Sequence, residues 1–203
     1  MIAIIDYGVG NIGSVINMFK RIGVKDVVFT RQEQEIAQAD KILLPGVGAF
    51  DRGMECLGNS GLIPILRKCA LEDKKPFLGI CLGMQLLTKG SEEGQKPGLG
   101  FIDAETVNFS FPPGSPYKIP HMGWNTVTVH KPNPLLDGSE EQRFYFVHSY
   151  YVHCNQAEDI MGTTDYGSAF TCAIQKDNIF ATQFHPEKSH KYGMKLLQNF
   201  SSL

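Results

Sequence analysis

The sequence predicts an α/β fold with a mainly parallel sheet, and three observations carry that expectation. Short, continuous apolar runs alternate with amphipathic stretches through the N-terminal half, the texture of parallel strands covered on both faces by helices. The stretch Lys75–Leu87, KPFLGICLGMQLL, switches from strand to helix across Gly79-Ile80-Cys81-Leu82-Gly83, a turn that belongs at the edge of such a sheet. No repeat, linker or low-complexity tract interrupts the 203 residues. One domain, residues 1–203, is therefore expected, long enough to bury its core without disulfides.

Taken in order, Ile2–Ile5 reads as the first strand. Asn11 is placed to cap a helix whose Ile12, Val15, Ile16 and Phe19 share one stripe, and Gly23 ends it. Val27–Thr30 and Ile42–Leu44 are the next strands, the latter running into Pro45-Gly46-Val47-Gly48. Helices follow over Ala49–Leu57 and Leu62–Glu72, with Pro64 in the first turn of the second. Pro76–Ile80 is the fourth strand, and Leu82–Leu87 opens a helix. Ser91–Gly100 is polar and glycine-rich, hence a loop. Beyond it the expected strands are Thr106–Phe109, Asn125–His130, Arg143–Val147, Ala169–Gln175 and Ile179–Phe184. Phe111–Pro116 is an irregular connection and Lys176-Asp177-Asn178 a hairpin turn. Ser189 is placed to cap a closing helix that carries Tyr192, Leu196, Leu197 and Phe200 inward.

Composition narrows the function classes. The net charge of −2 comes with no clustered basic surface, which argues against a nucleic-acid partner. Cysteines 56, 69, 81, 154 and 172 are odd in number and contain no C-x-x-C pair. Reduced thiols in a cytoplasmic protein are expected, with no metal and no cofactor. Ile2–Ile5 is too short for a signal segment and no run approaches membrane-spanning length.

Two motifs carry chemistry. The glycines around Cys81 are needed because so sharp a turn leaves no room for a β-carbon. The turn lifts the sulfur to a helix N-terminus, where partial positive charge favours an anion. A buried core cysteine is the plain alternative, and the flanking glycines argue against it. Gln183-Phe184-His185-Pro186-Glu187 ends the last expected strand. Alternation along an extended chain would put His185 and Glu187 on one side, so that a carboxylate fixes one ring nitrogen while the other faces a nucleophile. Together they suggest a triad of Cys81, His185 and Glu187 for acyl transfer. Donors for the oxyanion are sought in the Val47-Gly48 loop and at the Leu82 N–H. His148 stands at a strand end, where an isolated histidine is usually structural.

GICLGMQ, PGVGAF, HMGWN, FVHSY and QFHPEKS, in this order, make the chain similar to the class I glutamine amidotransferases over essentially its whole length. Within the class it most resembles the glutaminase subunits of imidazole glycerol phosphate synthase. The cysteine elbow and His-x-Glu mark the class alone. The narrower likeness rests on PGVG, on Met122-Gly123-Trp124-Asn125 and on the single-domain length. The resemblance implies a three-layer fold with a mixed, mostly parallel central sheet flanked by helices. It implies that Cys81 attacks the glutamine amide, and that Gly48, Gln85, Ser149 and Tyr150 contact that substrate. It also implies a partner, a (β/α)8-barrel cyclase subunit that consumes the ammonia to make imidazole glycerol phosphate and an aminoimidazole carboxamide ribonucleotide. Asn11, Trp124, Tyr145 and Lys188 match positions near that heterodimer interface; core filling is an equally open reading for Trp124.

Three other readings compete. Gly8-Val9-Gly10-Asn11-Ile12-Gly13 fits the dinucleotide fingerprint after a strand, but Arg31 rather than an acid ends the second strand. A stand-alone cysteine amidase would turn over without a partner. The same glutaminase chemistry also serves surface-saccharide amidotransferases, which differ at the interface.

Overall fold

The protein is described here by a computed structural model covering residues 1–136 and 141–203. The N-terminal half alternates as expected: β1 (Ile2–Ile5), α1 (Ile12–Arg21), β2 (Val27–Thr30), α2 (Glu33–Gln38), β3 (Lys41–Leu44), α3 (Phe50–Asn59), α4 (Ile63–Arg67), β4 (Phe77–Ile80) and α5 (Leu82–Leu86). Strands then dominate: β5 (Ala104–Asn108), β6 (His121–Val129), β7 (Gln142–His148), β8 (Tyr150–Cys154), β9 (Ile160–Asp165), β10 (Ala169–Lys176) and β11 (Ile179–Thr182), closed by α6 (His190–Ser202).

Among the described residues the strands form one mixed sheet of order β2-β1-β3-β4-β11-β10-β9-β6-β7, with β8 pairing β10 and β5. Its parallel character lies in β2, β1, β3, β4 and β11. The pairings of the remaining strands are antiparallel. The chain reaches β11 by a two-residue turn, since Lys176 pairs Ile179 across Asp177-Asn178.

Alternation along the strands makes the three layers. Ile2 and Ile4 of β1, Leu43 of β3 and Leu78 of β4 face Val15 and Phe19 of α1 and Leu196, Leu197 and Phe200 of α6. Ala3, Ile5, Ile42, Leu44 and Phe77 face the other way, onto Ile36, Phe50, Leu57, Leu66 and Leu86. Burying a side chain of this size is worth about 1.5–3 kcal/mol, so both faces of the sheet are committed.

Several boundaries differ from the sequence reading, for local reasons. α2, β8 and β9 were not expected; they are short and half-polar, and their burial comes from neighbouring strands. The helix expected over Leu62–Glu72 ends at Arg67 and continues as a single π turn, Lys68–Glu72. The last strand stops at Thr182 instead of Phe184. Asn11 and Ser189 occupy N-cap positions, but neither side chain makes the capping bond. The Ser189 hydroxyl instead donates to the His185 carbonyl at 2.6 Å and accepts from the Tyr145 N–H at 3.0 Å.

α5 approaches β3 too closely for any side chain at the contact. A β-carbon on Gly83 would lie 1.9 Å from the Leu44 carbonyl oxygen, and one on Gly79 would lie 2.9 Å from the Gly83 oxygen. Neither neighbour is a flexible side chain. Gly83→Ala is expected to destabilise the fold by at least about 3 kcal/mol, read as a lowered urea midpoint. A midpoint within experimental scatter of the parent would contradict this packing.

Candidate active site

Parallel strands deliver their carboxyl ends to one edge, the edge where ligands gather in open α/β sheets. Here β1 leads into Tyr7–Asn11, β3 into Pro45–Gly48, β4 into Cys81 and β11 into Gln183–Glu187. Cys81 takes φ +54° and ψ −110°, a conformation that costs a non-glycine residue about 1–3 kcal/mol and is held only by firm surroundings. Its N–H donates to the Thr182 carbonyl at 2.7 Å, which ties the elbow to the strand leading to His185.

His185 is not on a strand. It is extended at φ −102°, ψ 96°, and Pro186–Lys188 forms a 3-10 turn behind it. The turn, rather than strand alternation, brings the carboxylate back. Nδ1 of His185 and Oε1 of Glu187 lie 2.7 Å apart, with both side chains buried. Nε2 is buried without a hydrogen bond of ordinary geometry, on a ring that borders the same cleft as Cys81. Burial alone would lower the proton affinity of the ring. The Cys81 sulfur and the Glu187 carboxylate oppose that and prevail, raising its pKa to about 10.

The cleft has a volume of about 500 Å³ and takes in most of the expected positions: Asn11, Val47, Gly48, Cys81, Leu82, Gln85, Ser149, Tyr150, His185 and Lys188. A larger hollow of about 630 Å³ lies beside Lys131 and Lys195, and its described lining holds no cysteine, serine or carboxylate. Chemistry therefore favours the smaller cleft. Gly48 has φ +106°, which frees the Val47-Gly48 peptide to turn either way. The Leu82 N–H, expected to serve an oxyanion, donates a long bond of 3.3 Å to the Gly46 carbonyl. Tyr7 anchors the same loop by donating its hydroxyl to the Pro45 carbonyl at 2.6 Å.

Sequence comparison matches residues 3–202 to the family described as glutamine amidotransferase class-I. The chain belongs to that family. It is 56% identical over 98% of both chains to "Imidazole glycerol phosphate synthase subunit HisH 2" of Methanococcus maripaludis. To the subunit of the same name from Pseudomonas aeruginosa it is 52% identical over all of both chains. Among solved structures, a glutamine amidotransferase shares the fold with TM-score 0.76 and 17% identity, over 99% of this chain and 97% of that one. PurLQS from Thermotoga maritima does so with TM-score 0.74 and 15% identity, at the same coverage.

In this amidotransferase three of the expected interface residues, Trp124, Tyr145 and Lys188, form one patch beside the cleft, and the fourth, Asn11, lines the cleft itself. Trp124 is 40% exposed, so it does not fill the core. Its ring meets Tyr145 at 6.3 Å and His190 at 5.5 Å between centroids. Lys188 reaches over the Tyr145 ring at 5.8 Å, linking the patch to the cleft wall. The sequence reading missed Glu93, the carboxylate on that wall, whose Oε2 accepts the Phe50 N–H at 2.8 Å. It also passed over Gln183, fully buried, whose Nε2 donates to the Cys81 sulfur at 3.8 Å. Glu93 sits in a loop without a motif. Gln183 stands two residues before the His-x-Glu motif, whose chemistry drew attention away from it. Arg31, which stands where the dinucleotide fingerprint calls for an acid, is held by Asp6 at 2.6 Å.

The His185–Glu187 pair has a pH signature. A ring whose folded pKa lies above its unfolded value of about 6.5 contributes stability that is complete below pH 6.5 and lost as pH rises toward 10. Glu187→Gln removes one of the charges that raise it. The gap in urea midpoint between parent and variant should be largest near pH 6 and shrink toward pH 10. A gap that widens with pH would contradict the pairing.

Proposed function

We propose that the protein is a single glutaminase domain, residues 1–203, that hydrolyses glutamine and passes ammonia to a cyclase subunit. The observation that carries this reading is the shared cleft of Cys81 and His185, with the far side of the imidazole held by Glu187 at 2.7 Å. The sulfur attacks the side-chain amide carbon of glutamine. His185, carrying a proton, gives it to the departing ammonia, leaving a glutamyl thioester. The neutral ring then takes a proton from water, whose hydroxide releases glutamate and restores the sulfur.

The tetrahedral intermediates need donors. The Leu82 N–H is available once the long bond to Gly46 yields, and the Val47-Gly48 peptide supplies a second when its N–H faces the cleft. Those two requirements describe a loop with a resting and an active arrangement. Gln85, Ser149 and Tyr150 line the wall that would hold the substrate, and Glu93 offers a carboxylate for its ammonium group.

Ammonia released to bulk water would be protonated and lost, so a coupled acceptor site is required. The full-length relatives are named as imidazole glycerol phosphate synthase subunits. We therefore assign the acceptor to the (β/α)8-barrel cyclase of histidine biosynthesis, in a cytoplasmic heterodimer. Trp124 and Tyr145 would lie at its interface, with Asn11 and Lys188 at the junction with the cleft. Aromatic anchors of this kind dominate interface energetics.

Two measurements test the assignment. Basal glutaminase turnover should be very low and rise at least about a hundredfold, or about 2.7 kcal/mol of barrier, when the cyclase and its nucleotide ligand are added; no change with saturating cyclase would contradict it. Cys81→Ala should abolish glutamine-dependent synthesis while leaving synthesis from added ammonium salt intact. Loss of both would mean that Cys81 holds the fold rather than the chemistry.

A further inference from the structure

Behind the cleft wall, half-buried Asn125 and buried His121 and His148 form a polar run that the reaction above does not use. Asn125 Nδ2 approaches His121 Nε2 at 3.3 Å, His121 Nδ1 approaches His148 Nε2 at 2.9 Å, and His148 Nδ1 approaches the Tyr150 carbonyl at 2.8 Å. The same carbonyl accepts a bond from Gln85 Nε2 at 3.3 Å, and Gln85 Nε2 also donates to Gln183 Oε1 at 3.1 Å. Gln183 Nε2 faces the Cys81 sulfur.

Every proton in this run is fixed by its ends. A carbonyl oxygen can only accept, so His148 Nδ1 carries hydrogen toward Tyr150. At the other end the Asn125 amide cannot flip. Its Nδ2 donates to the Asp165 carbonyl at 2.8 Å, and its Oδ1 accepts the Thr126 N–H at 2.8 Å. Asn125 therefore donates to His121, whose Nε2 must accept and whose Nδ1 must carry hydrogen toward His148. A charged ring at either position would face one donor with another.

The surroundings agree. Phe146, Phe170, Phe109 and Tyr166 enclose the pair, the His121 and Tyr166 ring centroids being 4.1 Å apart. The ionisable neighbours that lower His148 further are His121 and His185. Burial pushes His148 down to about 3 and His121 down to about 4.

We propose that this run is a hydrogen-bond network of two arms that converge on the Tyr150 carbonyl, in which His121 and His148 are positioning residues. They hold the Tyr150 carbonyl in place, and that carbonyl, by accepting from Gln85, sets the Gln85 and Gln183 amides so that Gln183 donates to the Cys81 sulfur. The network starts on β6, the strand that also carries exposed Met122 and Trp124, and ends at the nucleophile. His148 thus lines the cleft without being a second base, since both ring nitrogens are committed. The proposal rests on the glutaminase reading for its purpose, but its geometry can be tested without substrate or partner.

The test is long-range 1H–15N correlation of the histidine rings in the full-length protein at pH 7, with assignment by single substitutions. Both His121 and His148 should be neutral and in the Nδ1–H tautomer, the less populated form of free imidazole side chains. An Nε2–H tautomer or a charged ring at either position overturns the network. Two variants then read the coupling with the cyclase present. His148→Leu should lower kcat/KM for glutamine about tenfold, and His148→Asn, which keeps a donor for Tyr150, should recover most of it. Equal losses in the two variants, or none, overturn the positioning role. The wild-type spectrum decides the geometry even where the leucine variant fails to fold.

Discussion

The parallel pairing of β4 with β11 holds this site together. Ile80 stands opposite Thr182, and the Cys81 N–H continues the ladder by donating to the Thr182 carbonyl at 2.7 Å. The pairing sets where two segments distant in sequence leave the sheet. One leaves as the cysteine elbow, the other as Gln183–Glu187. A slip by one residue would turn each side chain to the opposite face of the sheet and separate sulfur from imidazole. The glycines that let α5 pack against the Leu44 carbonyl serve the same constraint, because they seat the elbow on the sheet edge.

Around that pairing, strain and burial have specific uses. The left-handed backbone of Cys81 survives because β3, β4 and β11 enclose it. The pKa of the buried His185 ring is raised because the sulfur and Glu187 outweigh its desolvation. Tyr7, the Pro45–Gly48 loop and Leu82 are joined by two hydrogen bonds of unequal length, 2.6 Å from Tyr7 to Pro45 and 3.3 Å from Leu82 to Gly46. Both bonds fall on the Pro45-Gly46 side of the loop, ahead of the Val47-Gly48 peptide for which a reorientation is proposed.

Much of this was legible in the sequence, and the limits have physical causes. The cysteine elbow was readable because Gly79 and Gly83 answer to steric rules that few other turns impose. The N-terminal strands were readable because burial on both faces writes uninterrupted apolar runs. Tyr150–Cys154 and Ile160–Asp165 were missed because each is short and polar at several positions, and each becomes a strand through its neighbours on the sheet. His185 and Glu187 were paired correctly for the wrong reason, since a 3-10 turn and not alternation joins them. Glu93, Gln183 and the His121–His148 contact depend on residues far apart in the chain, which no local pattern records.

The proposed chemistry requires that the sulfur of Cys81 be the group that glutamine acylates. An electrophilic glutamine analogue, applied with the cyclase bound and followed by mass spectrometry of the intact chain and its peptides, reads this directly. One adduct per chain, confined to Cys81 and suppressed by glutamine, is the expected result. An adduct on another cysteine, or none under conditions where glutamine is turned over, would contradict the account.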